Sequence, residues 1–120
     1  MLFDIDTDKL VTSQPYANEF RTWRTRLSTS EFDAIVDKLN SMIDGDEIHT
    51  AGWMPGNNWS GSVFEPIYIK ACGGNEAESG LCFGLFVWHV FQNRADEWYS
   101  GKFEKDGVPI KSRTYFRKKK

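Results

Sequence analysis

The stretch that decides the fold is EAESGLCFGLFVWHVFQNR, residues 76–94. Asn75 just before it suits the N-cap of a helix, and the glutamates that follow suit the first turn, where the helix dipole favours carboxylates. From Leu81 to Phe91 the side chains are apolar around nearly the whole circumference, which is typical of a helix enclosed by other elements. We therefore expect this helix to be the buried centre of the protein, with Trp88 in the core.

Two amphipathic helices are predicted before it. The first runs from Pro15 to about Leu27. The second begins at a capping box, Ser28-x-x-Glu31, in which each side chain bonds the backbone of the other residue, and it ends at Gly45. Apolar residues recur in both at the three- and four-residue spacing of a helix face. These stripes are Tyr16, Phe20, Trp23 and Leu27 in the first helix, and Phe32, Ile35, Val36, Leu39, Met42 and Ile43 in the second.

A shorter helix is predicted after a second capping pattern, Ser62-x-x-Glu65. It would end at Gly73-Gly74. A strand over residues 63–70 is the alternative, and Pro66 in its middle argues against a central strand. In this interpretation the role expected for Glu65 is helix capping rather than general-base catalysis.

The C-terminal part predicts a β-hairpin. Asp106-Gly107 is a strong two-residue turn signal between the strands Trp98–Phe103 and Pro109–Phe116. Pairing Lys105 with Val108 assigns alternate residues to two faces. The inner face would hold Tyr99, Phe103 and Ile110, and the outer face Trp98, Lys102, Lys111 and Tyr115.

The predicted fold class is α+β, with helices packed on a small antiparallel sheet built on the C-terminal hairpin. Residues 47–53 would add a third strand, and residues 1–14 an irregular or short edge element. A chain of 120 residues is of ordinary size for one domain. We therefore predict a single domain over residues 1–120.

Composition and charge exclude several classes of protein. The net charge is −2, from 15 basic and 17 acidic residues, and the last four residues are all basic. The remaining body is acidic, so nucleic acid is not an expected partner. Because no apolar run is long enough for a membrane span and the acidic start lacks a signal peptide, we expect a cytoplasmic protein. Cys72 and Cys82 are then expected to be reduced thiols.

A polar line on the central helix is the first candidate for a site. Glu78, Cys82, His89 and Asn93 fall on one stripe of the helix. In one interpretation Glu78 and Asn93 lie near exposed ends, Cys82 is a core residue and His89 is satisfied by a buried group. In the other, the stripe lines a pocket with His89 at its polar end. Cys82 and His89 lie about 10 Å apart along the axis, too far for a catalytic dyad or one zinc ion.

The loop MPGNNWSG, residues 54–61, is the second candidate. Trp59 in the loop and Trp53 just before it, beside the loop amides, can form an aromatic wall with hydrogen-bonding groups, as in many small-molecule pockets. Alternatively, the tryptophans pack as lids over the core. The predicted ligand-binding residues are therefore His49, Trp53, Asn58, Trp59, Glu65 and His89. The sequence contains no motif for a cofactor or a metal site, and none is predicted.

The segment from His49 to Phe116 contains the stretches HTAGWMPG, VFEPIY, FGLFVW, EKDGVPI and TYF. With these stretches it resembles a family of small uncharacterised bacterial proteins encoded on mobile integron gene cassettes. The resemblance implies a bacterial cytoplasm and an accessory, dispensable role, and it assigns no catalytic residue.

Three functions remain open from the sequence. The leading hypothesis is an accessory protein that binds a small ligand between the Trp-rich loop and the central helix. The second is a homo-oligomeric interaction module, because the chain has 18 aromatic residues and an outer hairpin face with Trp98 and Tyr115. The third is a small enzyme in which His49 or His89 acts as a general base beside Glu65.

Overall fold

The computed structural model describes residues 1–45, 48–50, 61–101, 104–105, 108–109 and 114–118, with the backbone alone at 48–50, 104–105 and 108–109. Its helices surround one long helix that packs on a four-stranded sheet. The elements in chain order are β1 (Leu2–Asp4), α1 (Ala17–Thr25), α2 (Thr29–Gly45), β2 (Ile48–Thr50), a π-helical segment (Ile67–Ala71), α3 (Glu76–Asn93), β3 (Trp98–Gly101), β4 (Glu104–Lys105), β5 (Val108–Pro109) and β6 (Thr114–Arg117).

The long helix α3 is the buried centre that the sequence predicts. The side chain of Asn75 accepts a hydrogen bond from the backbone N–H of Glu78 at 3.0 Å, which caps the first turn. Most of the following residues are buried, Trp88 among them. The indole N–H of Trp88 donates to the carbonyl oxygen of Ser13 at 3.3 Å, so the N-terminal segment covers this side of α3.

The predicted capping box at the start of α2 is confirmed. The N–H of Ser28 donates to Glu31 Oε1 at 2.9 Å, and the N–H of Glu31 donates to Ser28 Oγ at 3.1 Å.

The prediction for α1 is wrong at Tyr16, which is 58% exposed. Tyr16 adopts a left-handed φ of 53° and precedes the helix, so its side chain leaves the stripe that Phe20 and Trp23 continue.

The segment after Ser62 is helical, as predicted, with a π-helical turn over Ile67–Ala71. Phe64, Ile67 and Ala71 are buried against α3 and α1, whereas Tyr68 is only half-buried. The guanidinium of Arg26 donates to the carbonyl oxygen of Ala71 at 2.6 Å and attaches this turn to the end of α1.

The sheet has the strand order β1-β3-β6-β2. β2 pairs antiparallel with β6, which confirms a third strand in the segment 47–53. β1 adds a parallel pairing with β3, so the sheet is mixed rather than purely antiparallel. The fold class is α+β, as predicted.

The hairpin keeps the predicted register near its tip and changes it farther back. Lys105 pairs with Val108, as predicted. The same register would place Ser112 opposite Gly101, but Gly101 pairs with Thr114. The two ladders are therefore offset by two positions. The turn Asp106-Gly107, together with Phe103 and Ile110, lies outside the described residues.

The predicted assignment of the hairpin faces is wrong. Trp98 and Tyr115 are fully buried, and the Phe91 ring centroid lies 4.9 Å and 4.2 Å from theirs. Tyr99 is on the opposite face, where its hydroxyl donates to Asp8 Oδ1 at 2.7 Å. Lys102 and Lys111 of the predicted outer face lie outside the described residues.

Because Trp98 and Tyr115 are interior residues, the hairpin face no longer supports the predicted homo-oligomer, which now rests on the aromatic content alone. It stays a prediction, which light scattering at micromolar concentration checks. Within the described ranges no helix combines the length and apolar character needed to cross a membrane.

Candidate functional site

A cleft of about 630 Å³ opens between α2, α3 and the connection from α3 to β3. Small-molecule sites commonly fall in the range of about 300–1,000 Å³. We call it the His89 cleft, after the imidazole in its wall. It is lined by Val36, Asn40, Asp44, His89, Val90, Asn93, Arg94, Ala95 and Asp96.

Helix periodicity explains why these residues meet. On α2, Val36, Asn40 and Asp44 are spaced by four residues and therefore share one face. On α3, His89 and Asn93 have the same spacing. The two faces flank the cleft, and the residues that follow α3 close one end.

The imidazole of His89 is held on several sides. It lies between the rings of Phe20 and Phe32, with centroid distances of 5.6 Å and 5.7 Å. The side-chain amide of Asn93 donates to the backbone oxygen of His89 at 2.7 Å and lies 3.4 Å from its Nδ1. Because an amide nitrogen only donates, this contact favours the tautomer with an unprotonated Nδ1 and a proton on Nε2. In the described part of the chain, Nε2 has no hydrogen-bond partner.

Burial lowers the pKa of His89 from its ordinary 6.5, and the nearby charge of Arg24 lowers it further. The guanidinium carbon of Arg24 lies 4.1 Å from the centroid of the Phe32 ring, which also contacts the imidazole. His89 is therefore neutral at pH 7 and presents a hydrogen-bond donor without a charge.

The lowered pKa gives a testable pH dependence. The imidazole signals of His89 should titrate with a midpoint below 6.5 in an NMR pH series. Below about pH 6.5 the imidazole of His89 binds a proton more readily in the unfolded chain than in the folded chain. The free energy of unfolding should therefore fall as the pH drops below about 6.5. His89→Gln should remove this part of the dependence. A midpoint at or above 6.5 would contradict the burial argument.

Arg94 closes the cleft through an ion-pair network. Its Nε and Nη2 bond the two oxygens of Asp96 at 2.8 Å and 2.9 Å. Nη2 also reaches Asp44 Oδ1 at 2.6 Å, and Nη1 reaches Asn40 Oδ1 at 2.8 Å. Arg117 adds a bond to Asp96 Oδ2 at 3.0 Å. Arg94 therefore fastens the C-terminal turns of α2 to the segment after α3.

The close contact between Arg94 and Asp96 shifts the pKa values of both side chains. Arg94 above all, with Trp98 and Arg117, holds the pKa of the Asp96 carboxyl well below its usual range. The same contact with Asp96 raises the pKa of Arg94. Both groups are therefore ionised at neutral pH.

The residues predicted from the sequence to bind a ligand do not all lie at the cleft. Of the predicted polar line, His89 and Asn93 line the cleft, whereas Glu78 and Cys82 do not. Glu65 does not line it. Its carboxylate accepts the N–H of Gly61 at 2.6 Å, not that of Ser62 as the predicted capping box requires. The backbone of His49 pairs with Tyr115 in the sheet. Trp53, Asn58 and Trp59 lie outside the described residues.

Only the end of the predicted polar line takes part in the cleft. Glu78 is exposed at the start of α3, and Cys82 is fully buried in the core. Cys82 and Cys72 are free thiols, and burial raises the pKa of both. Neither is therefore a thiolate nucleophile at neutral pH.

Sequence reasoning missed Asn40, Asp44, Arg94 and Asp96. Asn40 does not belong to the apolar stripe that the sequence predicts for the second helix. The four-residue spacing from Val36 to Asp44 was a usable signal, because it crosses from the apolar stripe to polar residues. Nothing local connected that edge with Arg94, which lies 50 residues farther along the chain.

Comparisons with known proteins supply no family. No family model, no curated protein and no solved structure matches the chain. Among the residues whose side chains the structure describes, no group of three or more His, Cys, Asp and Glu side chains is arranged to hold a metal ion.

Proposed function

We propose that this protein binds a small polar organic ligand in the His89 cleft. The imidazole of His89 carries the proposal. It is fixed by two aromatic rings and by Asn93, while its Nε2 meets no partner among the described residues. A ligand that accepts a hydrogen bond from this neutral donor, beside the apolar side chains that line the cleft, would gain from both contacts.

Binding is favoured over catalysis at this site. Glu65, which the sequence pairs with a histidine as acid and base, does not line the cleft. Both oxygens of Asp96 are occupied by guanidinium groups. An accessory role in a bacterial cytoplasm, which the resemblance to cassette-encoded proteins implies, belongs to the same proposal.

A fragment screen by ligand-observed NMR tests the proposal. We expect fragments that bind the wild type to lose affinity by at least about tenfold in His89→Phe, which corresponds to about 1.4 kcal/mol. Phenylalanine keeps the ring between Phe20 and Phe32 but removes both nitrogen atoms. The chain has two histidines, so the protein spectrum of His49→Gln shows which imidazole signals belong to His89. An unchanged affinity in His89→Phe would contradict the proposal.

The Trp-rich loop predicted from the sequence is the competing location. Trp53→Ala and Trp59→Ala in the same screen separate the two. Loss of binding in these variants but not in His89→Phe would move the site to the loop and overturn the cleft. Loss in all three would support one pocket that the loop and His89 share.

A further inference from the structure

Three residues that line the His89 cleft have hydrogen-bond donors without an acceptor in the described part of the chain. A guanidinium has five N–H groups. Arg94 directs one from Nε and two from Nη2 to Asp96 and Asp44, and one from Nη1 to Asn40. One N–H on Nη1 therefore has no acceptor in the described part of the chain.

Two more donors line the same cleft. Asn40 accepts from Arg94 through Oδ1, which orients its amide and leaves the Nδ2 group without a partner among the described residues. His89 adds its Nε2, which carries the proton in the tautomer that Asn93 favours. The cleft thus combines one charged and two neutral donors.

The charges around the cleft are compatible with an anion. Asp96 is paired with both Arg94 and Arg117. The side chain of Asp44 is 65% exposed, so water screens its repulsion toward a ligand. The positive charge of Arg24 also acts on His89.

We infer, on the basis of the function proposed above, that the ligand presents a carboxylate to Arg94 Nη1, Asn40 Nδ2 and His89 Nε2. A carboxylate has two oxygens with about four acceptor sites, enough for all three donors. Hydrogen bonds from a guanidinium to a carboxylate are among the strong ones. Val36, Val90 and Ala95 line the same cleft and suit a short aliphatic chain on the ligand.

Three probes of nearly equal shape test the inference: isobutyrate, isobutyramide and isobutylamine. Each is titrated into the full chain while the His89 imidazole signals are followed by NMR. We expect isobutyrate to bind more tightly than the amide by about tenfold, since only the anion gains the charge-assisted bond. The amine should bind most weakly.

Asn40→Asp is the diagnostic variant. It keeps the oxygen that Arg94 bonds but replaces the donor by a negative charge, so the fold should survive. The affinity for isobutyrate should fall by about tenfold or more, and that for isobutyramide by less. Asn18→Asp adds the same charge on α1, away from the lining residues, and should leave both affinities unchanged.

The outcomes separate this inference from the proposed function. If the amide or the amine binds as tightly as isobutyrate and shifts the His89 signals, the cleft binds ligands but the carboxylate inference is wrong. An equal loss for isobutyrate in Asn40→Asp and Asn18→Asp would also overturn it, because only long-range charge would then matter. If no probe and no screened fragment perturbs His89, the proposed function itself fails.

Discussion

Replacing Trp98 by alanine should lower the free energy of unfolding by about 3–5 kcal/mol, the usual cost of removing a large core aromatic. The Trp98 side chain is fully buried. Its ring contacts Phe91 of α3, and the guanidinium carbon of Arg117 lies 4.6 Å from its centroid. The substitution therefore removes a main contact between the central helix and the sheet. Urea denaturation followed by circular dichroism measures the loss.

Tyr99→Ala is the matched control, because the two residues are adjacent on β3 and face opposite sides. Tyr99→Ala removes ring contacts with Phe3 and Phe116, a cation–π contact with Lys118 and the bond to Asp8, all on the exposed side, so we expect a cost of about 1–2 kcal/mol. Trp98→Phe provides a milder variant if the alanine variant does not fold. A larger cost for Tyr99→Ala than for Trp98→Ala would mean that the sheet faces the other way.

The inverted faces of the hairpin show what alternation cannot decide. β3 and β6 carry aromatic residues on both sides, with Trp98 and Tyr115 on one and Tyr99 and Phe116 on the other. A period of two therefore assigns pairs of residues to a common face but does not say which face meets the helices. That choice depends on how α3 packs, with Phe91 stacked on Tyr115 at an interplanar angle of 10°.

The helices were predictable because their signals are local. The capping box of Ser28 and Glu31 and the N-cap at Asn75 involve residues three positions apart. The candidate site was predictable only in part for the same reason. His89 was visible as a polar residue on an apolar helix, whereas its neighbours Asn40 and Arg94 meet only through tertiary packing.

Arg94→Met should lower the free energy of unfolding at pH 7 by about 2 kcal/mol, between the values for an exposed and for a buried ion pair, because the pair of Arg94 and Asp96 is partly buried. The side chain of Arg94 is 13% exposed and bonds Asp96, Asp44 and Asn40. Methionine fills a similar volume but leaves Asp96 with one guanidinium instead of two. Asp44→Asn is the control: its side chain is 65% exposed, so we expect a cost of less than about 1 kcal/mol.

Acid should distinguish the two variants further. The folded chain holds the pKa of Asp96 well below its ordinary 3.8, chiefly through Arg94. The stabilisation is therefore complete above that ordinary pKa and is lost as the pH falls toward the folded pKa, because the unfolded chain binds the proton first. In Arg94→Met the pKa of Asp96 moves back up, so the free energy of unfolding should depend less steeply on pH between about 4 and 2.

Asp44→Asn leaves the two-point contact between Arg94 and Asp96 in place and should keep the wild-type slope. Equal slopes in the wild type and Arg94→Met would show that Asp96 does not depend on Arg94, and the cleft would then lack its central ion pair.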